Sequence, residues 1–297
     1  MDSARAVVRS VADHRPAAAI GRHARLDLVF GYRRGRTVLT RAYAEPPFKI
    51  GRPVEAGGAA SLIVVCAAPG VFPGDELCQS VRVEPGARVT LRSQSALQVH
   101  PGAGPAARIA SRYEVDAGAE LRCVWDPLIP FPEARIVQQV EIALTRGSRF
   151  YWSDAMLTGR CARGEAWVLA MLDHELRLSI DGVLQYLERY RLTSSGGRRA
   201  SGASASHARD VAARWIAGDA SHLGTILAHH AEASAETAEM LQQRLDRIES
   251  VRAGVDIVAR HLIVGRLLGW RGPAFTAARK AAEECIETGR EGQEGQD

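Results

Sequence analysis

Residues 83–89 read Val-Glu-Pro-Gly-Ala-Arg-Val, and 32 positions later residues 115–121 read Val-Asp-Ala-Gly-Ala-Glu-Leu. Each copy is an apolar strand end, a turn built on glycine, and a second apolar strand start. A coincidence of common turn residues would give the same text, and two copies fall short of the three that a repeat architecture needs. The reading is therefore of duplicated corners in a layered β-sandwich or an irregular β-helix-like body.

The text around these corners agrees. From Ala24 to about Leu192 apolar residues recur with period two, as in Leu26, Leu28, Phe30 and again in Ile136, Val140, Ile142, Leu144. Asp181-Gly182, between RLSI and VLQYLERY, predicts a two-residue hairpin, because both central positions of a type I′ turn need positive φ. Past Ser194 the pattern changes. Ser194–Ser206, SSGGRRASGASAS, holds no residue that anchors a core and reads as a flexible loop. Ala238, Leu241, Leu245 and Ile248 then fall at helical spacing behind Ser234, an N-cap residue type, which predicts a helix near 234–250. A strand or strand pair follows over Val255–Leu268, and Pro273 opens a final helix ending near Gly289.

The expected organisation is a flexible extension over 1–24, a β body over 25–193, a loop over 194–206, an α+β portion over 207–290 packed on the body, and a disordered tail over 291–297. The fold class is mainly β, with about two helices in the C-terminal portion.

Composition removes several functions. Neither of the two lysines, Lys49 and Lys280, follows a glycine, so no P-loop is present; GxSxG, HExxH and GxGxxG are also missing. The chain is read as no enzyme. Its net charge of +4 comes almost wholly from arginines that alternate with acids, which argues against nucleic acid as a partner. No apolar run is long enough for a membrane span, and a cytoplasmic protein is expected. Five cysteines without a CxxC pair read as small buried hydrophobes. His222, His229 and His230 invite a metal site, but adjacent strand residues point to opposite faces, so the two neighbours do not share one ion.

The carboxylates carry more. Asp75-Glu76, Asp126, Asp154, Glu165 and Glu188 sit among apolar neighbours, where a charge is costly unless paired or wet. Pairing with arginines such as Arg52, Arg160 or Arg189 is one explanation. Acid/base catalysis is a second, as in a β-helix carbohydrate-active enzyme with a carboxylate pair such as Glu76 and Asp154. A water-filled passage for a cation is the third. His100, in QVHPGAG, is either a turn residue or a transient metal ligand.

The phrases PPFKIGRP, PGVFPGDEL, SQSA, WDPLIPFP, GRCARGE and YLERYRL occur in one order that resembles the urease accessory protein UreD (UreH) family over residues about 25–192. The resemblance implies a non-catalytic scaffold that, with UreF and the GTPase UreG, assists nickel insertion into apo-urease. Nickel would be held transiently, with no permanent cofactor. It further implies an internal nickel channel, for which Asp75, Glu76, Asp154 and Glu188 become lining residues, and a helical C-terminal portion in which Leu241 and Leu245 bind UreF. Oxygen ligands hold nickel more weakly than imidazole or thiolate clusters, which suits an ion that must leave again.

Overall fold

The turn at residues 84–87 closes by Ala87 N–H donating to the Glu84 carbonyl (3.1 Å), with Gly86 at φ +79°. Residues 116–119 repeat it, Ala119 N–H donating to Asp116 O (3.1 Å) with Gly118 at φ +70°. A third copy stands at residues 145–148, where Ser148 N–H donates to Thr145 O (3.0 Å) and Gly147 has φ +82°. These turns stack: Asp116 N–H donates to Val83 O and Thr145 N–H to Val115 O. The repeat is therefore a true solenoid element of three coils. The third copy escaped the sequence reading because Thr-Arg-Gly-Ser keeps only the glycine of the motif.

The structure, a computed structural model, describes residues 21–193 and 217–291. The expected loop and the segment to residue 216 fall outside the described residues. In chain order the first strands are β1 (His23–Arg33), β2 (Arg36–Ala44), β3 (Phe48–Ile50), β4 (Val54–Ala56) and β5 (Ala59–Cys66). The coils follow as β6 (Glu76–Val83), β7 (Arg88–Ser93), β8 (Leu97–Val99), β9 (Ala107–Val115), β10 (Glu120–Val124), β11 (Leu128–Pro130), β12 (Arg135–Leu144) and β13 (Arg149–Leu157). Then come β14 (Met171–Ile180), β15 (Val183–Thr193), β16 (His222–His229), α1 (Ala235–Asp246), β17 (Val251–Ala259), β18 (Leu262–Gly269) and α2 (Gly272–Glu291).

Two sheets result. The smaller has the order β15-β14-β12-β9-β6-β1-β2, and the larger runs β17-β18-β16-β13-β10-β7-β5-β3. Within the coils the pairing is parallel, β6 with β9, β9 with β12 and β12 with β14 on one side, β7 with β10 and β10 with β13 on the other. Each coil thus adds one strand to each sheet. Antiparallel partners flank the coils in the smaller sheet, β2 on β1 before them and β15 on β14 after them, and at the second hairpin Asp181 (φ +49°) and Gly182 (φ +76°) make the expected turn.

The main core lies between the sheets and includes Leu26, Phe30, Leu91, Leu121, Ile136, Ile142 and Leu176. Leu227, Leu262 and Val264 belong to it, so β16 and β18 extend the larger sheet instead of forming a separate unit. A second cluster sits on the outer face of that sheet, where Ala238, Leu241 and Leu245 of α1 and Phe275, Ala278 and Ala282 of α2 cover Tyr151, Ile226, Ile263 and Leu267. Ser234 caps α1 by accepting from Thr237 N–H (3.3 Å). Gln242 of α1 also covers an open sheet edge: its amide donates to Ala253 O (3.2 Å) and accepts from Val255 N–H (2.8 Å) on β17. Phe275 approaches Gly269 so closely that a Cβ there would lie 2.6 Å from the ring, which is why this strand end carries glycine.

Candidate functional site

Alternation along a strand puts every second side chain between the sheets, where apolar residues are the rule. Here several of those inward positions are polar. The register aligns them across strands: Gln79 of β6 faces Ser111 of β9, while Gln138 of β12 faces His174 of β14 and His174 faces Tyr190 of β15. In the opposite sheet Asp154 of β13 pairs with Thr225 of β16, and Thr225 with Arg266 of β18. All of these residues line one cavity of about 310 Å³ between the sheets.

The cavity lies crosswise to the strands. Its lining includes Ser93 at the end of β7 and the exposed Asp126, which Ser93 Oγ holds by donating to Oδ2 (2.9 Å) and accepting from Asp126 N–H (2.7 Å). Four strands further along the larger sheet it includes Arg266, a path of about 19 Å at one strand spacing per step. Trp125 and Trp152 also line it, and their buried indole N–H groups have no partner among the described residues. Polar walls with unsatisfied donors are the condition under which an internal space holds water.

The ionisable groups gather at the Arg266 end. Glu188 is buried and does not itself line the cavity; it lies against the wall, accepting from Tyr186 Oη (3.0 Å) and Thr225 Oγ1 (3.3 Å) and forming an ion pair with Arg266. His174 Nδ1 donates to Gln138 Oε1 (3.1 Å), which leaves Nε2 directed toward Glu188 Oε1 at 3.7 Å. Tyr190 stacks on the His174 ring at 4.8 Å. Burial pushes the Asp154 carboxyl up, Glu188 adds to that, and His174 opposes it. Burial pushes His174 down against the pull of Asp154 and Glu188. The Tyr186 hydroxyl is pushed up to about 12 by burial and then by Glu188. Burial disfavours the Arg266 charge, yet Glu188 more than compensates and its pKa is raised. Among the described residues no three His, Cys, Asp or Glu side chains form a group able to hold a metal ion.

The sequence-derived residues divide. Asp154 and Glu188 converge on the cavity end. Asp75 and Glu76 do not: Glu76 is on the exposed face of β6, with His23 at 3.2 Å. Asp75 is buried and accepts from Arg22 N–H (2.9 Å), Arg22 Nε (3.2 Å) and Phe72 N–H (2.9 Å). It thus fastens the start of β1 to the corner before β6, so the chain reaches into the β body from Arg22, ahead of the expected boundary at 25. Glu76 and Asp154 are not brought together as a catalytic pair. His100 donates from Nε2 to Pro69 O (3.0 Å) and stacks on Phe72 at 4.5 Å, the arrangement of a corner residue. Of the arginines expected to pair carboxylates, Arg160 holds Glu165, and Arg189 lies by Glu175 instead of Glu188.

Leu241 and Leu245, expected at a partner interface, are 0% and 1% exposed and belong to the layer under α1. The same 3.6-residue stripe that identified the helix is the stripe it buries on its own sheet. Of the cysteines, Cys123 and Cys285 are buried but Cys78 is exposed. His229 and His230 are both buried, since His230 lies past the end of β16 and escapes the alternation. What the sequence reading missed is the polar row of Gln79, Ser111, Gln138 and His174, together with Arg266; polar residues at inward positions of aligned strands were the available signal.

The Asp75 pair gives a stability prediction. Burial alone would raise the carboxyl, but the Arg22 hydrogen bonds outweigh it and hold the group below its ordinary value. Its stabilising effect is then complete above the unfolded value of about 3.9 and lost as pH falls through the lower folded value. Asp75→Asn is expected to cost about 1–3 kcal/mol at neutral pH. The gap from wild type in urea midpoints should close between pH 4 and the acid limit, and a gap independent of pH would count against this account.

A family model described as UreD urease accessory protein matches residues 22–296. The chain is 34% identical over 171 residues to the "Urease accessory protein UreD" of Sorangium cellulosum, covering 58% of this chain and 54% of that protein. It is 31% identical over 182 residues to "Urease accessory protein UreD 2" of Streptomyces griseus, covering 60% and 61%. With the UreD of Deinococcus radiodurans it shares 30% identity over 202 residues, covering 67% and 72%. The chain spans little more than half the length of the first two relatives.

Proposed function

The chain belongs to the UreD urease accessory protein family, and from that premise we propose that it is a non-catalytic scaffold for nickel insertion into apo-urease, acting with UreF and the GTPase UreG. Nickel is the cargo, and it crosses the sandwich through the cavity between the sheets. The observation that carries this reading is the set of inward polar side chains lining the cavity, Gln79 beside Ser111 and Gln138 beside His174, with Asp154 opposite and Glu188 behind the wall, where an ordinary sandwich would be apolar. Two carboxylates and a single imidazole meet at one end of the passage without closing into a cage among the described residues, which favours exchange of a divalent cation over storage.

The absence of a Walker A loop fits a division of labour in which a partner hydrolyses nucleotide. Among the described residues no helix is long and apolar enough to cross a membrane.

The test is nickel content and specific activity of urease purified from cells with and without this gene, the other accessory genes intact. Nickel-poor, inactive urease is expected in its absence. Equal nickel loading in both strains, with no second copy of the gene, would reject the proposal.

A further inference from the structure

Arg266 sits where the cavity meets the outside. It lines the internal space, yet its side chain is 45% exposed, whereas its partner Glu188 is 5% exposed. The guanidinium has water to retreat to; the carboxylate does not. The neighbouring strand leaves room for such a movement, because Gly254 of β17, opposite Arg266, has open space where a side chain would stand.

The acceptors of Glu188 are already taken. Tyr186 and Thr225 donate to it, His174 Nε2 lies at 3.7 Å, and the guanidinium supplies the compensating charge. A cation travelling past Asp154 therefore meets His174 Nε2 free of any strong donor, but finds Glu188 occupied. Two carboxylates face this end and one mobile cation answers them. The other nearby guanidinium, Arg279, is committed to the Ser153 and Trp125 carbonyls at 3.0 and 2.6 Å.

We propose that Arg266 is a resident counter-cation that closes one mouth of the passage by occupying Glu188 and yields it only to a divalent cation. The inference rests on the nickel-passage reading above and adds a residue that sets which ions enter. The exchange is electrostatic. Replacing one positive charge by another leaves the balance unchanged, so a monovalent ion gains nothing; a divalent ion adds one charge opposite two carboxylates in a poorly solvated space. Once Glu188 is released, its carboxylate and the neighbouring His174 Nε2, 3.7 Å apart, offer one oxygen and one nitrogen ligand, a loose pair that suits nickel in transit. Departure of the ion lets the guanidinium return, so the passage resets without a covalent change. Arg266 is thus a positioning residue, acting through Glu188.

The experiment is calorimetric titration of the full-length protein with nickel chloride, on wild type, Arg266→Gln, Arg266→Lys and Glu188→Gln. Arg266→Gln removes the competitor, and nickel is expected to bind about tenfold or more tighter than in wild type, with slower release. Arg266→Lys keeps a cation in place and should restore the wild-type affinity, which a merely structural role for the guanidinium fork would not predict. Unchanged nickel affinity in Arg266→Gln, with binding lost in Glu188→Gln, would overturn the latch and leave the nickel passage standing. Equal affinity in all four proteins would overturn both. Thermal melts of each variant separate these outcomes from loss of fold.

Discussion

Replacing Glu188 by Gln is expected to lower the nickel content of urease matured with the variant by about tenfold or more, because it removes the buried negative charge at the Arg266 end of the proposed passage. The substitution keeps the shape of the side chain and most of its hydrogen bonds, so Tyr186 and Thr225 retain an acceptor. Arg266 loses its charge partner but can turn to solvent, which limits the stability cost. The two effects are therefore separable: nickel in purified urease should fall, while the melting temperature of the variant stays within a few degrees. Asp154→Asn should act in the same direction, since Asp154 itself lines the cavity. Wild-type nickel loading with Glu188→Gln would remove the main support for conduction through this space, whatever the role of the protein as a scaffold.

The second large effect is on the fold. Leu241 is completely buried between α1, β17 and α2, and Leu241→Ala is expected to cost about 2–5 kcal/mol through lost burial and the cavity it leaves. For a chain of this size that corresponds to a melting temperature lower by about 10 °C. Leu241→Asp should prevent the helical layer from docking at all. Met240, the adjacent residue on the solvent side, is 49% exposed, and Met240→Asp should leave the melt almost unchanged. If Leu241→Ala melted like wild type while association with UreF was lost, the side chain would be an interface residue after all.

Much of the architecture was legible because its determinants are local. The period-two alternation, the Asp181-Gly182 turn and the Ser234 cap each depend on residues within a few positions of one another, and each is found where the residues called for it. Asp154 and Glu188 were legible for a different reason: a lone acid inside an apolar phrase is conspicuous. The remainder required register. Nothing near Gln138 announces that it will lie beside His174, 36 residues on, or that Thr225 will place Arg266 against Glu188. The partner of Asp75 was not legible, because Arg22 lay in the stretch read as a flexible extension. The stripe containing Leu241 and Leu245 marks a helix and its buried side, but periodicity alone does not say whether the covering surface belongs to the same chain.

The stacked turns at Gly86, Gly118 and Gly147 bear on how the cavity between the sheets changes over time. Because the cavity runs along the direction in which coils accumulate, its reach is a whole number of strand spacings, each of about 4.8 Å. A duplication of one strand–turn–strand unit would lengthen it by one step and preserve the inward alignment of every other side chain. A single-residue insertion within a strand would instead turn the polar row outward. The length of the space between the sheets is therefore a counted quantity, adjustable by gain or loss of a coil and resistant to gradual drift.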